Sequence, residues 1–204
     1  MSQVAAVLSR GAALCLLTVG AWLGLMAPGL AQTLTEREAR QQVAPPRGIS
    51  VELADLPIND PDMLKRLEAK ALQFPYYGAF VTSPGDPAEN QSAFGLANLH
   101  SPQDAVRVAL ATCEARRTTG APCILVAQTF PRRYQAGVLT LSAKATEVLR
   151  GAFRQLDSPK AFAISDETGQ FGFARGDGTR ALANCNAAAG ESGVQDCRLV
   201  VVDR

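Results

Sequence analysis

The chain has one histidine, almost no excess of either charge and no familiar catalytic motif. Because His100 is the sole imidazole, any serine–histidine or cysteine–histidine pair must use it. The 20 Lys and Arg stand against 19 Asp and Glu, and setting aside Arg10 near the N-terminus leaves 19 of each. A phosphate-reading domain usually carries a clear basic excess, so nucleic acid is not expected as the main partner. Steering of a charged partner from a distance is weak for the same reason. The sequence contains no G-x-S-x-G, H-E-x-x-H or phosphate-loop pattern, which removes the commonest motif-borne hydrolytic and nucleotide chemistries. No cofactor and no metal is expected. The balance favours a protein that does no chemistry.

Long apolar runs are confined to the start. Arg10 ends a short basic region, Gly11 to Ala27 is uncharged, and Gly29-Leu30-Ala31 has the small residues of a cleavage site. This is the pattern of a signal peptide over residues 1–31. An uncleaved anchor is the rival, but the run is slightly short of the ~20 residues that span a bilayer. The expected location is periplasmic or secreted, with no membrane span once the leader is removed. Cleavage also removes Cys15 and leaves Cys113, Cys123, Cys185 and Cys197. Four cysteines in an oxidising compartment favour disulfides. Their C-x9-C and C-x11-C spacings are not those of structural zinc knuckles.

Residues 32–59 are polar and proline-punctuated and read as a flexible lead-in, with Ile49 to Leu53 extended,. Asp60-Pro61 then opens a helix that Phe74-Pro75 closes,. Beyond it the chain repeats itself. Ala79-Phe80-Val81-Thr82-Ser83 returns as Ala161-Phe162-Ala163-Ile164-Ser165, and Phe94-Gly95-Leu96-Ala97 as Phe171-Gly172-Phe173-Ala174. Ala109 to Cys113 returns as Ala181 to Cys185, and Cys123 to Val126 as Cys197 to Val200. A helix precedes each copy; before the second, Ser142 caps a run whose apolar face extends to Leu156,. Ser101-Pro102-Gln103-Asp104 and Asp177 or Thr179 open the inner helices, the second about one turn shorter,.

The expected fold is therefore α+β, with two tandem α-β-β-α-β pseudo-repeats over residues 60–127 and 142–204, joined by an insert at 128–141. Antiparallel-rich sheet with helices packed on it follows from the hairpin turns. The repeat assigns Cys113–Cys123 to one copy and Cys185–Cys197 to the other. Each bridge clips a helix to a strand, which the entropy model values at on the order of 3 kcal/mol.

Tyr77-Gly78-Ala79-Phe80, Ser83-Pro84, Phe94-Gly95, Ser101, the alanine-rich helix and the Cys113/Cys123 pair resemble a small exported bacterial domain of unknown function, DUF4189. The likeness covers about 50 residues of the first copy, and the second copy follows it more loosely. It implies an exported α/β module and brings no catalytic residue with it.

Few candidate sites remain. His100 lies in a loop before the Ser101 cap and reads as solvent-facing rather than as a general base. Asp166-Glu167 reads as a solvated hairpin turn, since the spaced acids of a calcium loop are absent. Arg132-Arg133-Tyr134, in the insert, is the best contact patch because basic charge sits beside an aromatic. The expected function is noncatalytic binding of a protein, an envelope component or a small ligand, with the groove between the two copies as one place for it. The alternative is a small periplasmic hydrolase or an enzyme inhibitor that uses the 83–93 loop with the 130–135 insert.

Overall fold

The computed structural model describes residues 33–57 and 60–204; the leader expected over 1–31 lies outside the described residues. In chain order the elements are α1 (Glu36–Gln42), β1 (Ile49–Leu53), α2 (Pro61–Ala71), β2 (Gly78–Thr82), β3 (Phe94–Leu96), α3 (Pro102–Arg116) and β4 (Ile124–Pro131). They are followed by α4 (Ala143–Arg150), β5 (Lys160–Ile164), β6 (Phe171–Arg175), α5 (Thr179–Gly190) and β7 (Arg198–Asp203). Mixed helix and antiparallel sheet is what the alternating patterns call for. Among the described residues no helix is long and apolar enough to cross a membrane.

The first sheet has the order β1-β4-β2-β3, every neighbour antiparallel. Along β2, Ala79 and Val81 point to α3 and pack with Ala105, Ala109 and Cys113. Phe80 and Thr82 point the other way, as the strand period requires, and line a shallow apolar hollow with Met63 and Leu67 of α2. The second sheet is β6-β5-β7, also antiparallel. Its central strand is buried along its whole length. Ala161 and Ala163 meet Ala181 and Cys185 of α5 on one face. Phe162 and Ile164 meet helix α4 on the other face, through Ala145, Leu149 and the following Phe153.

The two sheets can be compared strand by strand. β3-β2-β4 and β6-β5-β7 have the same order, and the central pairing slips by one residue after Phe80 in one and after Phe162 in the other. The hairpins are less alike. Phe80 faces Gly95, whereas Phe162 faces Phe173 rather than Gly172, a difference of one residue. Cys113–Cys123 and Cys185–Cys197 are paired, with Cα atoms 6.2 and 6.0 Å apart.

Two expectations need correction. The segment read as a flexible lead-in is built into both sheets. Leu34 bridges to Val201 of β7, α1 packs Ala39 and Val43 into the second core, and β1 forms the edge of the first sheet beside β4. Thr35 and Glu38 form a reciprocal capping box that starts α1 despite its polar sequence,. Helix α4 is also shorter than its apolar face suggests. It ends at Arg150, because Gly151 leaves the helical region (φ −109°, ψ −96°) and a 3-10 turn then carries Phe153 into the core.

Candidate functional site

His100 is 1% exposed, not solvent-facing. The backbone N–H of Ser142 donates to its Nδ1 at 3.0 Å, so the ring proton sits on Nε2, which donates to the Gln170 carbonyl at 2.9 Å,. Ser142 caps α4 and Gln170 lies just before β6, so one side chain from the first half ties two elements of the second. Burial pushes the imidazole pKa below its ordinary 6.5; the Gln170 bond and the charges of Asp166 and Asp104 act the other way, and Arg198 acts with burial. Both nitrogens are engaged by main chain. A base that must meet substrate has neither free.

The same contact is reinforced on both sides. Asn98, at φ +64°, accepts a hydrogen bond from the Ala143 N–H at 2.7 Å. Gly169 has φ +69°, and a Cβ there would stand 2.6 Å from the Asn98 carbonyl oxygen, so glycine alone allows the hairpin to press against this loop,. The Asp166-Glu167 turn is paired rather than merely solvated. Arg198 holds Asp166 through two hydrogen bonds of 2.7 and 3.0 Å, and Arg107 of α3 reaches Glu167 at 3.3 Å.

Beside this junction lies a groove of about 590 Å³. One wall is the outer face of α3, with Val108, Ala111, Thr112 and Ala115; the other carries Thr168, Ser192 and Val194. Arg107–Glu167 borders it, and Arg116 stands over the Phe94 ring, 4.4 Å from its centre. The Thr112 hydroxyl donates to the Val108 carbonyl at 2.8 Å, so it is not an activated nucleophile,. The arrangement offers apolar contact with polar rims, which suits binding.

The three residues of the expected contact patch separate. Arg132 and Arg133 line a pocket with Arg47, whereas the half-buried Tyr134 packs on Phe130 and Tyr77, with ring centres 5.1 and 5.7 Å apart, and lines a separate surface hollow beside Val106 and Leu125. The 83–93 loop and the 130–135 insert lie near opposite ends of β4: Val81 and Thr82 pair with Leu125 and Ile124, and the insert begins beyond Thr129. They do not build one site. Among the described residues, no group of three or more His, Cys, Asp or Glu is placed to hold a metal ion.

The role of His100 was illegible in sequence because both of its partners are main-chain atoms, 42 and 70 residues away. No family model matches the chain, and comparison with curated proteins and solved structures found no match.

Proposed function

We propose that the chain is an exported, noncatalytic binding module, made by duplication of one cysteine-paired unit, and that its ligand or partner occupies the groove between the two halves. The observation that carries this reading is the groove itself, which lies where the halves meet, with a largely apolar α3 wall, a mixed wall of Thr168, Ser192 and Val194, and charged rims,. Matching strand order, matching slips in the central pairings and one helix-to-strand bridge in each half support the duplication. The leader pattern and the two disulfides support a periplasmic or secreted location,. The likeness to DUF4189 fits the same picture of an exported module.

Ala111→Trp fills the groove from an exposed position on α3. With the melting temperature unchanged, this variant should lose a partner that a photocrosslinker at Val108 captures from the cell envelope, while Lys65→Ala on α2 retains it. Equal capture by the groove-filled variant would contradict the reading.

A further inference from the structure

Three arginines line one pocket at one end of the first sheet. β1 and β4 pair as far as Ile49 and Pro131, so the chain entering β1 and the chain leaving β4 run on together. Arg47 from the first, and Arg132 and Arg133 from the second, line a pocket of about 360 Å³ with Pro45 and Gly48. No carboxylate lines it. Among the described residues, the ion pairs all lie elsewhere, and none of these three side chains meets an Asp or Glu.

The pocket is shaped before any ligand arrives. Gly48 has φ +68°, and a Cβ there would stand 2.7 Å from Cδ of Arg132, so the Arg132 stem lies on bare backbone. The Arg47 N–H donates to the Pro45 carbonyl at 2.7 Å, which fixes the turn before β1. On the other strand the Tyr134 N–H donates to the Pro131 carbonyl at 2.9 Å, and the Tyr134 ring is held by Phe130 and Tyr77. Fixing the backbone that carries the three arginines lowers the ordering cost of binding.

From this geometry we infer that the Arg47–Arg132–Arg133 pocket binds a phosphomonoester or diphosphate group. Each guanidinium is a planar fork that matches phosphate oxygens, and three of them suit a dianion better than a single carboxylate. The inference is independent of the groove, which lies on α3.

The test is titration of the full mature chain with pyrophosphate at low salt, read from the arginine Nε–Hε signals, with acetate as control and phosphatidic acid vesicles as a second arm. Saturable binding that weakens at least about tenfold in Arg132→Ala/Arg133→Ala, and also in Gly48→Ala, is expected, with Arg175→Gln unaffected. Binding to vesicles alone would assign the phosphate to a lipid headgroup, and binding to pyrophosphate would assign it to a soluble ligand. No binding in either arm, acetate binding as tight as pyrophosphate, or full binding by the double variant would overturn the inference.

Discussion

At the scale of single residues, His100 is where the two halves depend on each other most. His100→Leu would leave the buried Ser142 N–H without a partner and take one of two hydrogen bonds from the Gln170 carbonyl, which keeps the one from the Ser165 N–H at 2.9 Å. An unpaired buried donor costs about 1–3 kcal/mol, so urea unfolding near neutral pH should show a loss of roughly 2 kcal/mol. The pH dependence follows from the lowered pKa. Below about 6.5 the unfolded chain takes up a proton that the folded chain resists, so this contribution is fully present above 6.5 and declines as pH falls,. Protonation would also set an N–H on Nδ1 against the Ser142 N–H. The Leu variant should lose this part of the acid sensitivity; an unchanged pH slope would show that the imidazole is not its source.

At the scale of elements, α1 decides whether the N-terminal segment belongs to the fold. Lys160 of β5 is 3% exposed, and its ammonium donates to Glu36 of α1 at 2.7 Å and to the Leu156 carbonyl at 2.8 Å. Removing one partner of a fully buried pair costs about 3–5 kcal/mol, but Glu36 is only partly buried and the ammonium keeps the Phe153, Arg154 and Leu156 carbonyls as acceptors. Glu36→Ala should therefore lower stability by less, roughly 1–3 kcal/mol, and raise amide exchange across α1, while Glu38→Gln changes little beyond the cap. Equal, small effects would mean that α1 is not held by the pair. Much of this level was legible in sequence: the caps at Asp60, Ser101 and Ser142 act as their residue types suggest. α1 was not, because its seven residues bury only Ala39 and its anchoring ion pair spans 124 positions. Which way the half-buried Tyr134 ring turns was not legible either: adjacency to two arginines says nothing about it, and here Phe130 and Tyr77 decide it.

At the scale of the whole molecule, contacts of unlike kinds cross between the halves: the His100 and Asn98 hydrogen bonds, the Arg107–Glu167 pair and the N-terminal segment that joins both sheets. Together they hold the groove walls as one frame, and a binding role depends on that frame keeping its width. The most direct test is a distance distribution between spin labels, carried on genetically encoded side chains at Ala111 and Ser192, measured by pulsed electron resonance near neutral pH. A single narrow distribution is expected, broadening when His100 is replaced by Leu. A broad distribution in the unaltered protein would contradict the fixed frame and, with it, the groove as a preformed binding site.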